Sequence, residues 1–240
     1  MKLMNKPRGI IFDLSSTVLN EEGFDAISGD KKLLEYATNP RNLAPAEVQA
    51  FADEIYRGLH EVMEEQFVEF SEQNFQRLLY ETLGITLNID YPEAERIFWR
   101  AGTSFIPTEG IVEVLDFLRT NNIKTGILSN TMFSGGVLEE ELKRHNLAQY
   151  FSFVIASSDY GFRKPSPRIF NVAIKKMNLE PANIWFVGDR LEYDVMGAIQ
   201  SGLYPVWYNP NGQPKILECD CLEVRSWVEF LEKLQSLLMS

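Results

Sequence analysis

Three polar stations in this 240-residue chain stand directly after apolar runs, where a strand would deliver them to a common edge. Asp13 follows Gly9, Ile10, Ile11 and Phe12; Ser129 and Asn130 follow the run from Lys124 to Leu128; Asp189 follows Ile184 to Val187 and Gly188. Carboxylates that converge in one crevice repel each other unless a cation is present. Two carboxylates beside a hydroxyl and an amide are therefore expected to work with positive charge on an anionic group.

The elements that must hold these residues follow from the patterning. Short apolar runs closed by polar clusters read as buried strands. Gly9 to Phe12, Lys124 to Leu128, Phe153 to Ala156, Ile184 to Val187 and Tyr204 to Trp207 fit that description. Helical spacing separates them: Ile111, Val114, Leu115 and Leu118; Pro167 to Met177, with Ser166 at the N-cap and proline at the first position; Tyr193 to Ser201, stopped by Gly202; and a C-terminal helix with Trp227, Phe230, Leu231 and Leu234 on its apolar face, opened by a Ser226 and Glu229 capping box. From Gly23 to about Ser104 the pattern is helical throughout, with Phe75, Leu78, Leu79 and Leu83 on one face and Gly84 as a stop. Strands alternating with helices predict an α/β fold, a doubly wound parallel sheet with its ligand at the carboxyl ends of the strands. The helical block leaves from that same edge. It is expected to form an inserted all-helical cap domain, residues 21–104, over a core of residues 1–20 and 105–240, hinged near Asn20 to Gly23 and Phe105 to Pro107.

Composition narrows the partners. Lys and Arg number 23 against 34 Asp and Glu, a net charge of −11, with 45% hydrophobic and 24% charged residues. That balance argues against a nucleic-acid binder or an anionic-membrane binder, both dominated by phosphate contacts. Small phosphorylated metabolites stay open, since one cation and one lysine can hold them. Cys219 and Cys221 offer no disulfide framework and are expected to be reduced. His60 and His145 are too few for a zinc constellation. The apolar run after the basic N-terminus stops at Asp13, and no stretch approaches the roughly 20 apolar residues that span a bilayer. A cytoplasmic protein is expected.

The strand-end residues resemble the motifs of the haloacid dehalogenase-like (HAD) hydrolases in order and placement, over most of the core. FDLSST resembles the first motif and makes Asp13 the nucleophile. ILSN resembles the second, in which Ser129, with Asn130 beside it, bonds the transferring phosphoryl group. GFRKPSPRIF resembles the third and makes Lys164 the lysine that neutralises nucleophile and phosphate; FVGDRLEYDVMGA resembles the fourth, with Asp189 as metal ligand and Asp194 as a second acidic residue beside the metal. The resemblance implies Mg²⁺, a hard cation suited to carboxylate oxygens and substrate phosphate. It implies a phosphatase that acts on a small phosphorylated metabolite through an aspartyl phosphate.

One position departs from the phosphatases. Two residues after the nucleophile they carry a second aspartate, which protonates the leaving group and activates water; here that residue is Ser15. Acid–base assistance is worth about 10²–10⁴ in rate, so its loss is expected to cost about 3–5 kcal/mol at each step that needs it. The resemblance places this residue's main-chain carbonyl on the metal and its side chain near the phosphate, so Ser15 leaves the metal site possible. Dehalogenases of the family carry an aromatic residue there and lack the Gly-Asp metal motif, which Gly188 and Asp189 retain. Phosphonate-cleaving members carry alanine and use a cap lysine, a role for which nothing specific singles out Lys31 or Lys32, and cation-pumping ATPases carry threonine. The competing expectation is an impaired member that binds a phosphorylated ligand or a protein partner without turnover. Taken singly the residues have ordinary explanations: a turn for Asp13 and Ser129, a loop lysine for Lys164, a helix start for Asp194, a core Trp99 beside a solvated Arg100, and a solvated helix face for Glu139, Glu140 and Glu141.

Overall fold

The computed structural model describes residues 5–239. The chain opens with β1 (Gly9–Phe12) and β2 (Leu19–Phe24), then passes through α1 (Ala26–Leu34), β3 (Ala37–Thr38), α2 (Pro45–Gln66), α3 (Glu72–Thr82), β4 (Thr86–Leu87) and α4 (Tyr91–Gly102). It returns along β5 (Thr103–Pro107), α5 (Ile111–Thr120), β6 (Lys124–Ser129), α6 (Gly135–Arg144) and β7 (Val154–Ala156). The remainder is α7 (Pro167–Met177), β8 (Ile184–Gly188), α8 (Met196–Gln200), β9 (Tyr204–Tyr208), β10 (Leu222–Val224) and α9 (Trp227–Met239).

Six strands form one parallel sheet in the order β10-β9-β8-β1-β6-β7. Strand order reverses at β1, between β8 and β6, which is the switch point where doubly wound sheets open a crevice for ligands. The four residues of β1 are buried because both faces of the sheet are covered. Ile10 and Phe12 enter a layer with α5, α6 and α9, whereas Ile11 enters the opposite layer with α7 and α8, as the two-residue period of a strand requires.

Between β2 and β5 lies the helical segment with a core of its own, including Leu33, Val48, Phe75, Leu79, Tyr80 and Phe98. Its two connections to the sheet are themselves paired: Asn20 faces Ile106 and Glu21 faces Phe105 in an antiparallel ribbon with an irregularity between Glu21 and Gly23. The segment also contains the short β3–β4 pair, so it is not purely helical. In α3 the buried face differs from the expected one. Phe75 and Leu79 point inward, but Leu78 is 44% exposed, and Glu72 and Gln76 are buried in its stead. Positions 72, 75, 76 and 79 share one side of a 3.6-residue helix, and the polar pair among them faces a cavity described below. Gly84 ends this helix region with a φ of 70°, as expected of a stop glycine.

Two other expectations shift. The helix expected over 193–201 begins as a single π-helical stretch, Leu191–Val195, before α8. Glu141 is 2% exposed and receives Trp99 Nε1 from the insert, so one of the three expected surface acids is a buried anchor. Arg100 remains solvated and pairs with Glu140. No helix among the described residues is long and apolar enough to cross a membrane.

Candidate active site

β1 and β8, adjacent at the switch point, end on Asp13 and Asp189. The Asp13 N–H continues the sheet ladder by donating to the Val187 carbonyl at 2.8 Å, which sets its side chain at the mouth of the crevice. The π-helical stretch after β8 carries Asp194 to the same place. Carboxylate oxygens of Asp13, Asp189 and Asp194 lie within 4.8 Å of one another. A side chain at position 188 would not allow this, because a Cβ there would sit 2.3 Å from Asp194 Oδ2.

Lys164 enters from the loop before α7 and is 2% exposed. Its ammonium donates to Asp13 Oδ1 at 2.5 Å and to Asp194 Oδ1 at 2.7 Å. Asp194 Oδ2 accepts the Arg190 N–H at 2.9 Å, so this carboxylate ties the lysine to the turn after β8. Burial pushes the Asp13 carboxyl up to about 6, against the pull of Lys164 and with the repulsion of Asp194. Asp189 is pushed up to about 7 by burial and then by Asp13 and Asp194. Burial pulls on Lys164 as well, but attraction to Asp13 and Asp194 outweighs it and holds the ammonium above its ordinary range. When ionised, the three carboxylates against one ammonium leave two negative charges in the crevice, the charge that burial resists. A divalent cation held by oxygen ligands matches that deficit, so Asp13, Asp189 and Asp194 are the side chains that could hold one.

Ser15 and Ser129 line the same ≈ 190 Å³ cavity, Ser15 exposed and Ser129 buried at the end of β6. The Asn130 side chain is bonded to the main chain of Lys164. Its Nδ2 donates to the Lys164 carbonyl at 3.0 Å and its Oδ1 accepts the Lys164 N–H at 2.7 Å, so both ends of its amide fix the lysine's main chain. Lys31 and Lys32 stand on the exposed side of α1, away from this cavity, with Lys32 paired to Glu35.

Residues absent from the sequence reading complete the rim. Arg163 pairs with Glu64 at 3.0 Å and lies 3.7 Å from Glu69; both acids come from the insert. The Tyr193 hydroxyl donates to Glu64 Oε2 at 2.5 Å, and Ser157 Oγ donates to Glu69 Oε2 at 2.7 Å. On the other side Glu95 of α4 accepts the Ser134 N–H at 2.6 Å and its hydroxyl at 2.8 Å, at the start of α6. The insert is thus fastened to the sheet domain on both sides of the crevice. Their sequence signal is only adjacency: Arg163 precedes Lys164 and Tyr193 precedes Asp194, while their acidic partners lie about a hundred residues away.

The chain is similar to known proteins in sequence and in fold. The chain is 26% identical over 208 residues to the pyrimidine 5'-nucleotidase YjjG of Escherichia coli strain K12, covering 83% of this chain and 85% of that protein. It is 24% identical over 211 residues to a glyceraldehyde 3-phosphate phosphatase of Methanothermobacter thermautotrophicus, covering 84% and 85%. The crystal structure of the HAD-hydrolase YfnB from Bacillus subtilis bound to magnesium superimposes with a TM-score of 0.59 at 21% identity, covering 96% of this chain and 99% of that one. The model of the haloacid dehalogenase-like hydrolases matches residues 7–202, more than half of the sequence, and the chain belongs to that family.

Proposed function

We propose that this hydrolase is a Mg²⁺-dependent phosphatase that cleaves a small phosphorylated metabolite through an aspartyl phosphate on Asp13. The observation that carries the reading is the group of Asp13, Lys164, Asp189 and Asp194 at the switch point, which with its carboxylates ionised is two positive charges short of neutral. Asp13, Asp189, Asp194 and the Ser15 main-chain carbonyl would hold the metal, which supplies positive charge to the phosphoryl oxygens when bound. The magnesium-bound relative and the phosphate-ester activities named for the two sequence relatives support this assignment.

The chain's own residues then divide the work. Lys164 occupies Asp13 Oδ1, which leaves the other oxygen for in-line attack on phosphorus. The Asp13–phosphorus bond forms as the ester P–O bond breaks, and the departing oxygen takes up a proton from solvent. Water then attacks phosphorus and gives a proton back to solvent as the Asp13–phosphorus bond breaks, restoring the Asp13 carboxylate and releasing inorganic phosphate. Ser129 donates to the phosphoryl group, and Asn130 keeps Lys164 in register. At the rim Ser15 offers a hydroxyl where proton transfer to the leaving oxygen calls for a carboxylic acid, so turnover is slow. Residues 21–104 act as a cap on the core of residues 1–20 and 105–240, a division supported by the insert's separate core and its β2–β5 ribbon. The two thiols, Cys219 and Cys221, have sulfurs 4.0 Å apart and fit the reducing cytoplasm in which we place the protein.

Phosphate release from a metabolite panel, with and without Mg²⁺, tests the reading. Asp13→Asn is expected to abolish Mg²⁺-dependent release, and Ser15→Asp to raise it by about 10²–10⁴. Release that survives Asp13→Asn would exclude the nucleophile assignment. The exposed Ser15 also motivates a second reading, a family member that binds a phosphorylated ligand or a protein partner without turnover. Tight ligand binding with no release from either the native chain or Ser15→Asp would favour it.

A further inference from the structure

A second cavity of ≈ 410 Å³ lies on the seam between the insert and the sheet domain, lined by α1, α2, α3 and α4 and by Thr131, Met132 and Phe133. Those three residues continue directly from Ser129 and Asn130, and the Glu72 N–H of the insert donates to the Met132 carbonyl at 2.8 Å. Tyr56, on the wall of this cavity, feels the charge of Arg163, which lines the Asp13 cavity. Its size is that of a small-molecule site, of the order of 300–1,000 Å³.

The lining is apolar and acidic. Asp30 and Glu72 are buried and Asp53 is exposed, while among the described residues no lysine, arginine or histidine lines the cavity. Its hydrogen bonds are also incomplete. The Tyr80 hydroxyl donates to Asp30 Oδ1 at 2.7 Å, but Oδ2 of this 2% exposed residue has no partner among the described residues. Gln76 Nε2 donates to Glu72 Oε1 at 3.0 Å, but Oε1 of the 1% exposed Gln76 has none either. The residues that carry these two unsatisfied buried acceptors, one of them a carboxylate, line a cavity whose walls include Phe98 and Phe133, two rings stacked with centroids 6.1 Å apart. Buried acceptors without donors are costly, and a positively charged donor beside these rings answers both the charge and the missing bonds.

The geometry points to this cavity as the site for the alcohol portion of the substrate, and to a substrate that is the phosphomonoester of an amine, with its ammonium between Asp30 and Gln76. The phosphoryl end faces Asp13, so the inference rests on the phosphatase reading for its chemistry but not for its binding. A neutral donor such as a hydroxyl would satisfy an acceptor but leave the acidic charge unpaired, and an alkyl group would do neither.

Three isosteric aryl phosphates separate these cases: tyramine phosphate, tyrosol phosphate esterified at the phenol, and 4-propylphenyl phosphate. Relative kcat/KM is measured with Mg²⁺, and the three parent phenols are titrated into the same protein by calorimetry. The ammonium compound is expected to lead the propyl compound by roughly 10–100-fold in both assays, with the hydroxyl compound between them. Asp30→Asn, which is isosteric, and Gln76→Leu, on a different helix, are each expected to shrink that ratio. Hydrolysis of all three esters at equal efficiency, or an ammonium preference unchanged in both variants, would overturn the assignment while leaving the phosphatase reading intact. Equal performance of the hydroxyl and ammonium compounds would overturn its cationic part. Selective tyramine binding without release of phosphate from any ester would support the amine site and reject the phosphatase.

Discussion

Replacing Glu72 by glutamine isolates the stability cost of acid in the seam cavity. Glu72 is buried and accepts a hydrogen bond from the Gln76 amide; burial first, then repulsion by Glu95 and Asp30, push its carboxyl up to about 8 against that bond. The unfolded chain ionises the same group near 4.5. Between these two values the folded state holds a proton that the unfolded state has lost, so stability falls as pH rises and levels off only above about 8. At about 1.4 kcal/mol per pH unit, the interval corresponds to an upper figure of about 5 kcal/mol. Glu72→Gln keeps the size of the side chain and an oxygen for the Gln76 amide, but carries no charge at any pH. Urea denaturation at about pH 5 and about pH 9 is expected to show the variant gaining at least about 2 kcal/mol over the native chain at the higher pH and much less at the lower. Asp13 and Asp189 also titrate in the fold, and the difference between variant and native chain removes their contribution; the repulsion between Glu72 and Asp30 stays within the measured gain. A gain below about 1 kcal/mol at high pH, or one that is equal at both, would refute the view that this carboxylate is held against its ionisation. Retention of an acid that destabilises the fold is understandable where the cavity binds a cation, a trade of stability for function.

Two further substitutions probe the catalytic crevice. Lys164→Met removes the ammonium shared by Asp13 and Asp194; it is expected to abolish phosphate release and to destabilise the fold by about 3–5 kcal/mol near neutral pH, as loss of one partner from a buried ion pair does. Thermal unfolding checks this, with Mg²⁺ raising the Tm of the variant more than that of the native chain, and an unchanged Tm would count against the charge balance described above. Gly188→Ala places a methyl 2.3 Å from Asp194 Oδ2, so Asp194 must leave Lys164 and the Arg190 N–H; a loss of about 1–3 kcal/mol is expected in denaturant titration together with lost turnover.

Much of the core was legible because its signals are local. A strand buried on both faces reads as an unbroken apolar run, and the residue that ends it is where a parallel sheet presents its chemistry; Asp13, Ser129 and Asp189 could be found by that rule alone. Helix stops at Gly84 and Gly202 were visible because a left-handed turn favours glycine. The capping box at Ser226 was half right: Ser226 Oγ accepts the Glu229 N–H, but Glu229 reaches back to the Arg225 N–H. In α3 the apolar pattern selected Leu78, which faces solvent, and passed over Glu72 and Gln76, since hydrophobicity does not reveal a polar residue turned inward to line a cavity.

Sequence by itself determined the alternation of strands and helices, the placing of acids and lysine at loop entrances, and the serine that replaces an acid two residues after Asp13. Each depends on neighbours within a few positions, where backbone preference and hydrophobic period act. Only the tertiary structure decided which charges meet. Lys164 bridges Asp13 and Asp194 from 151 and 30 positions away, Asn130 is spent on the lysine's main chain, and Arg163 is paired with insert acids. It also decided that, of the chain's 34 acidic residues, Asp13, Asp189 and Asp194 meet in one crevice and Asp30, Asp53 and Glu72 line the seam cavity. Coulomb energy depends on distance in space and on burial, and neither quantity is written in the order of residues along the chain.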